Sequence, residues 1–229
     1  KSDIWLDLVM PEGLESQPKG FSIKSSFAAP ATLLNAGRTT RFTFIATART
    51  EETLQGLHGS EKIQKRISNF LENQGNLEFE GLTDSTFRHN LALSDSDMPA
   101  LLAKIVLKYY SSSHNTVTDL LDAIFPPDVE RLANQSAKLK IQRFLTYVAL
   151  GMVPGTAWNG KLESSGGYLV VTQSGALKAI DLENPNHLGD YLLENTKLDT
   201  PSSTRHDFGT AFVAQGVTKI NLALQIRFK

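Results

Sequence analysis

The stretch Gly20–Asn35, GFSIKSSFAAPATLLN, decides how this chain is interpreted. Its first part, Phe21–Ser25, alternates apolar and polar residues, which predicts a β-strand. Upstream, Asp3–Val9 (DIWLDLV) predicts another strand. The intervening residues 10–19 contain two prolines and a glycine and predict a turn or loop. The two strands can therefore pair as neighbours.

Charge is distributed unevenly along the chain. The net charge is -1, yet no acidic residue occurs from Ser16 to Thr50. The basic residues of that stretch are Lys19, Lys24, Arg38, Arg41 and Arg49. Residues 51–100 carry nine acidic and four basic residues, and residues 208–229 carry three basic residues and no acidic one. Such asymmetry is typical of a protein that presents one basic face to phosphates, although scattered surface charge is the alternative.

The composition excludes several classes of protein. There is no cysteine, which excludes disulfides, thiolate metal sites and cysteine nucleophiles and is compatible with a reducing cytoplasm. No apolar run approaches the ~20 residues of a membrane span, and no signal peptide is recognisable. P-loop, G-x-G-x-x-G and G-x-S-x-G motifs are missing, and the five histidines never have i, i+4 spacing. We expect a cytoplasmic protein without a nucleotide cofactor.

The order of predicted elements is strands, then helices, then strands. Further strands are predicted at 41–46, 168–172 and 177–181, with a closing hairpin at 208–214 and 219–228. The predicted helices are 61–74 with Ser60 as its cap, 97–110, 116–125, 135–152 and 187–195. This order predicts one mixed α+β or α/β domain over residues 1–229. Because the chain opens on Lys1 directly at a predicted strand, we expect further residues before it in the natural protein.

An aspartate and a lysine on neighbouring strands indicate metal-assisted chemistry on a phosphodiester. Asp3 would hold a divalent cation, since Mg²⁺ prefers oxygen ligands and takes one or two carboxylates. Lys24 would orient or activate water and steady the phosphate. The alternative is that Lys24 simply ends an exposed strand.

A longer pattern of motifs resembles the HpaII-like type II restriction endonucleases. The shared motifs keep their order along nearly the whole chain: Ser2-Asp3-Ile4, GFSIKS (20–25), ATLLNA (31–36), Thr40-Arg41-Phe42, YVALGM (147–152), WNGK (158–161), Gly166-Gly167-Tyr168, Ser203-Thr204-Arg205, Phe208-Gly209 and LALQIRF (222–228). That order is more specific than any single motif.

The resemblance implies a PD-(D/E)xK restriction-endonuclease-like core, in which a mixed β-sheet is flanked by helices. It implies Mg²⁺-dependent double-strand cleavage of DNA at a short palindrome, C-C-G-G in the namesake enzyme. Asp3 would be the metal-binding acid and Lys24 the catalytic lysine, while Ser22 occupies the place of the usual Asp or Glu. The second acid would come from Glu12, Glu15 or Asp7, or from a segment before Lys1.

Two groups of residues are candidates for contact with double-stranded DNA, because Arg, Asn, Ser and Thr on loops are the usual readers of base edges. The first group, in and beside the predicted loop 25–40, is Ser26, Thr32, Asn35, Arg38, Thr40 and Arg41. The second group is Ser203, Thr204 and Arg205. Our hypothesis is that Arg38 or Arg41 reads a base, the alternative being a phosphate contact or a solvated side chain.

A palindromic target favours a homodimer in which each subunit cuts one strand, the alternative being a monomer that nicks twice. A restriction system also implies a DNA methyltransferase that protects the same site. Two other classes of function remain open on the sequence: a DNA-binding protein without catalysis, consistent with the neutral Ser22, and an interaction module whose basic stretch pairs with an acidic protein.

Overall fold

A computed structural model describes residues 3–7, 18–25, 30–171, 174–181 and 185–229. Its strands are β1 (Ile4–Asp7), β2 (Pro18–Ser25), β3 (Thr32–Leu34), β4 (Arg41–Thr47), β5 (Asn76–Leu82), β6 (Gly167–Val171), β7 (Leu177–Asp181), β8 (Thr196–Leu198), β9 (Ala211–Ala214), β10 (Val217–Ala223) and β11 (Ile226–Phe228). Its helices are α1 (Glu51–Gln55), α2 (Ile63–Glu72), α3 (Ser85–Ser94), α4 (Met98–Tyr110), α5 (Val117–Ile124), α6 (Arg131–Ala149), α7 (Pro185–Asn195) and α8 (Ser203–His206). Single 3-10 turns lie at Arg38–Thr40 and Gly56–His58.

The first sheet has the strand order β1-β2-β6-β7. β1 and β2 pair antiparallel with Ile4 opposite Phe21, which confirms the predicted pairing. β2 also pairs with β6, but in parallel, with Lys24 opposite Val170. A parallel pair requires a long crossover, and here the chain between β2 and β6 supplies it. The predicted hairpin of β6 and β7 is confirmed as an antiparallel pair.

Two further sheets contain the remaining strands. The second sheet has the order β5-β4-β10-β9 and the third has the order β3-β11-β8. The prediction of one closing hairpin is wrong in part, because its second strand divides. β10 pairs with β4 and β9, while β11 pairs with β3 and β8. The break falls at Leu224 and Gln225, between β10 and β11, although the Leu224 N–H still donates to the Thr40 carbonyl at 3.0 Å in register with the β4 ladder.

Some elements begin or end away from their predicted bounds. Ser60 does not cap α2, because Arg66 donates to the carbonyls of Leu57 and Glu61 and holds the residues before the helix in a turn. Helix α6 starts at Arg131, where the Asn134 amide is fixed by Asp122 at 2.7 Å and the Phe125 carbonyl at 2.8 Å.

A contiguous cluster of buried apolar side chains links the sheets and the helices. The apolar residue Leu139 of α6 is exposed. The buried stripe of α6 runs instead through Ala137, Ile141, Phe144 and Leu145. The prediction also missed β3, β5, β8, α1, α3 and α8. The result is a mixed α+β structure consistent with the restriction-endonuclease-like fold. Among the helices of the described residues, none is long and apolar enough to cross a bilayer.

Two fully buried tyrosines differ in one respect. The Tyr110 hydroxyl donates to the Ala223 carbonyl at 3.0 Å, whereas the Tyr168 hydroxyl has no hydrogen-bond partner among the described residues. Burial raises the pKa of both phenols, so both hydroxyls stay neutral at physiological pH. A buried hydroxyl without a partner lowers stability, while a bonded one contributes to it.

We therefore expect the same substitution to act differently at the two sites. Tyr110→Phe should lower the free energy of unfolding by about 1–2 kcal/mol, because the Ala223 carbonyl loses its donor. Tyr168→Phe should leave that free energy unchanged or raise it. Urea denaturation of both variants measures the difference, and equal losses at the two positions would contradict the assignment of partners.

Candidate active site and DNA-contact surface

The Asp3 carboxylate is held against strand β2 by the backbone. The Asp3 N–H donates to the Phe21 carbonyl at 2.8 Å, which fixes the residue just before β1. Oδ2 of Asp3 accepts the Ile23 N–H at 2.6 Å and the Ser22 hydroxyl at 3.3 Å. Asp3 is exposed, and its Oδ1 makes no hydrogen bond to a described residue. The carboxylate is thus oriented while one of its oxygens stays available to a ligand.

Lys24 lies on the same face of β2 as Ser22, two residues along the strand. Two residues of extended chain span about 6.6 Å. Within the described ranges, no carboxylate lies at ion-pair distance from the half-buried Lys24. The Asp3 carboxylate is therefore anchored to β2 beside Ser22, while Lys24 lies two residues further along the strand and forms no ion pair with a described carboxylate.

Tyr168 neighbours this group on β6, directly opposite Ser22 in the parallel ladder. Burial is the largest cause of its raised pKa, and the negative charge of Asp3 adds to it after Tyr191. The Tyr168 ring stacks on Phe228 with 6.4 Å between the ring centroids, which joins the first sheet to the third.

A second metal-binding carboxylate is not found near Asp3 in the described part of the chain. Asp7 lies four residues further along β1, or about 13 Å in an extended strand, too far to share one ion with Asp3. Glu12 and Glu15, the other candidates, lie outside the described residues, and so does Ser26. No group of three or more His, Asp or Glu side chains suited to a metal ion occurs within the described ranges.

The predicted DNA-contact residues after β2 differ in how exposed their side chains are. Asn35 and Arg38 are exposed, and Thr32 is half-buried on β3. Thr40 is fully buried, and its Oγ1 bonds to the backbone of Gly37 at both N and O. Thr40 therefore shapes the Arg38–Thr40 turn and presents no group to a ligand.

An ion pair joins this turn to the second predicted DNA-contact loop. Nη1 of Arg41 donates to the Asp207 carbonyl at 2.7 Å and to Oδ2 of Asp207 at 3.1 Å. The Arg41 side chain is 13% exposed and that of Asp207 is 76% exposed. Asp207 ends helix α8 with φ +48, in the left-handed region. This ion pair connects the start of β4 to α8, which carries the exposed residues Ser203, Thr204 and Arg205.

Sequence reasoning missed two positioning residues of this surface, Asp207 and Asn90. The buried Asn90 amide donates to the carbonyls of Val153 and Thr156, and its oxygen accepts the Trp158 N–H. In that loop, Gly155 lies against the Thr39 side chain. Asn90 directly follows the polar residues Arg88 and His89, so no signal in the sequence marks it. We call the exposed groups of Arg38, Ser203, Thr204 and Arg205 the recognition surface.

The described contacts predict unequal structural roles for two arginines. Arg41→Ala should lower the free energy of unfolding by about 1–2 kcal/mol, because it removes a charged donor from the Asp207 carbonyl; the exposed carboxylate adds little. Arg38→Ala, at an exposed position, should change it by less than about 0.5 kcal/mol. Thermal or urea unfolding measures both. An Arg38 variant less stable than the Arg41 variant would overturn this division.

Comparisons with known proteins show the family of this chain. The profile of the HpaII restriction endonuclease family matches residues 1–228. The type II restriction enzyme HpaII of Haemophilus parainfluenzae is 39% identical over 213 residues, which cover 91% of this chain and 60% of the relative. The chain thus spans about three fifths of that relative's length. No solved structure matches the chain. Because the family profile covers the chain from its first residue to Arg227-Phe228, the chain belongs to the HpaII restriction endonuclease family.

Proposed function

We propose that this protein is a Mg²⁺-dependent type II restriction endonuclease that cuts both strands of DNA at a short palindrome, C-C-G-G or a related site. One observation carries the proposal: the Asp3 carboxylate is fixed by the Ile23 N–H beside Lys24, which forms no ion pair with a described residue, in a chain of this family. Residues 1–229 would act as one nuclease domain, in the cytoplasm.

The residues around Asp3 fit a magnesium ion in chemical type. Mg²⁺ binds through one or two carboxylates and keeps several waters, and the free Oδ1 of Asp3 is one such ligand. Glu12 remains our proposal for a second. When bound, the ion supplies Lewis acidity and lowers the pKa of a coordinated water.

The side chains of this chain then have separate tasks in hydrolysis. Asp3 positions the site, because the Ile23 N–H and the Ser22 hydroxyl restrict its rotation. The Lys24 ammonium stabilises the negative charge that grows on the phosphate oxygens and orients the attacking water. The water oxygen bonds to phosphorus, and the bond from phosphorus to the leaving sugar oxygen breaks.

A palindromic substrate accounts for the partners we propose. Two copies related by a twofold axis would place one Asp3–Lys24 pair at each strand. A DNA methyltransferase with the same target would protect the host, as a functional partner that need not touch the nuclease.

A DNA-binding protein without catalysis is the second candidate. The neutral Ser22 favours it, because a hydroxyl is a weaker cation ligand than the carboxylate usual at this place. That protein would use the recognition surface in the same way and would not depend on Lys24 beyond its charge.

Cleavage of a mixed-sequence plasmid with Mg²⁺ separates the two candidates. We expect discrete fragments from the unchanged chain and a loss of rate of about 100-fold or more for Asp3→Asn and Lys24→Gln, since each removes charge that stabilises the transition state. The ends of the fragments would give the target site.

The matched controls lie on the same two strands. Asp7→Asn makes the same change about 13 Å along β1, and Lys19→Gln makes it on the opposite face of β2. Both should keep most of the rate. Intact DNA with every version, together with a retarded band in a binding gel, would favour the binder instead.

Arg38 is the better candidate for a base reader, because the Arg41 guanidinium is engaged with Asp207. Arg38→Ala should reduce discrimination at one base pair by about 1–3 kcal/mol and leave the other positions unchanged. Cleavage rates on all single-base variants of the site measure this. Arg131→Ala, exposed at the start of α6, is the control. A uniform loss across all sequences would show a phosphate contact.

A further inference from the structure

The third sheet carries a row of basic side chains on its outer face. Arg227 pairs with Lys197 on one side and with Thr32 on the other. Arg227 lies between the buried Ile226 and Phe228, and Lys197 lies between the buried Thr196 and Leu198. Because side chains alternate along a strand, Arg227 and Lys197 point away from the core. Lys229 continues the alternation after Phe228. We call Lys197, Arg227 and Lys229 the basic row.

Most of the positive charge in this row is uncompensated. Neither Lys197 nor Lys229 has a side-chain hydrogen bond or ion pair with any described residue. Arg227 donates from Nη1 to Asp199 at 2.9 Å, while its buried Nε has no partner in the part of the chain that the structure describes. Three cations against one anion leave an excess of about two charges. Uncompensated charge on a sheet face favours an anionic partner.

The sheet that carries the basic row packs against the sheet of the candidate active site. On its core face, Phe228 stacks on Tyr168 at 6.4 Å, and Tyr168 is the ladder neighbour of Ser22. Thr32, which pairs with Arg227 at one end of the row, follows Lys24 by eight residues, which span at most ~28 Å. One turn of B-DNA is about 34 Å long. This end of the row therefore lies within the length of one helical turn from Lys24.

We propose that the basic row binds backbone phosphates of the DNA duplex outside the recognised bases. This proposal rests on the proposed function and adds a second contact region to it. Basic side chains that contact only phosphates bind every DNA sequence with similar affinity, because phosphates carry no base information. The row would thus add affinity and hold the duplex in register, while the recognition surface selects the sequence.

The test measures the salt dependence of DNA binding in the Lys24→Ala background, in which the DNA stays intact. The double variant Lys197→Gln/Lys229→Gln leaves the Arg227–Asp199 pair in place. Each lost phosphate contact reduces the slope of log affinity against log salt by about 0.9, so we expect a change of about 1.8. Between about 50 and about 200 mM salt, this variant should lose roughly 12-fold less affinity than the parent. Its preference for the target sequence should not change.

Lys65→Gln/Lys138→Gln is the matched control, since it removes the same net charge from two helices, where each lysine already pairs with an acid. An unchanged slope in the row variant, with target binding intact in the parent, overturns this proposal and leaves the proposed function standing. No target binding by the parent overturns the proposed function itself. A row variant that dissociates in sedimentation, with its salt slope unchanged, assigns the row to a second copy of the chain and also overturns the proposal.

Discussion

The pairing of β2 on both of its edges is the constraint on which the candidate active site depends. β1 covers one edge in the antiparallel sense and β6 covers the other in parallel. With both edges occupied, Ser22 and Lys24 have one fixed orientation relative to the sheet. The Ile23 N–H of β2 donates to the Asp3 carboxylate. The geometry of the candidate site thus follows from strand pairing.

The sequence predicted local features well and long-range ones poorly. Alternation identified β2 and its neighbour β1, and helical spacing identified the buried face of α2 with Ile63, Ile67 and Phe70. These patterns are properties of one segment. The division of the last predicted strand was not visible, because its two parts pair with β4 and β3, which lie far away in the sequence. Strand β5 was missed because its two glutamates, one asparagine and one glycine obscure a short alternation of apolar and polar residues.

The candidate site shows the same limit. Residue types and order singled out Asp3, Ser22 and Lys24, which the structure brings together. The same reasoning treated Arg38 and Arg41 alike as base-reader candidates and named Thr40 as a DNA contact, although their surroundings differ. Thr40 forms hydrogen bonds within its own turn and Arg41 binds Asp207, whereas Arg38 is exposed. Whether a side chain is available to a ligand depends on the tertiary structure. For Arg41 it depends on Asp207, 166 positions away in the sequence.

The separation in sequence between paired strands has a consequence for when the candidate site is assembled. β1 and β2 can pair as soon as both are synthesised, but β2 must wait for β6, and Leu34 of β3 must wait for Ile226. Contacts between residues so far apart carry a large loop-closure cost and form late in folding. Until β6 has been synthesised, Asp3 and Lys24 therefore lie on paired segments of which one edge is still open. The arrangement of Asp3, Ser22 and Lys24 is supported on both sides only once β6 has joined β2.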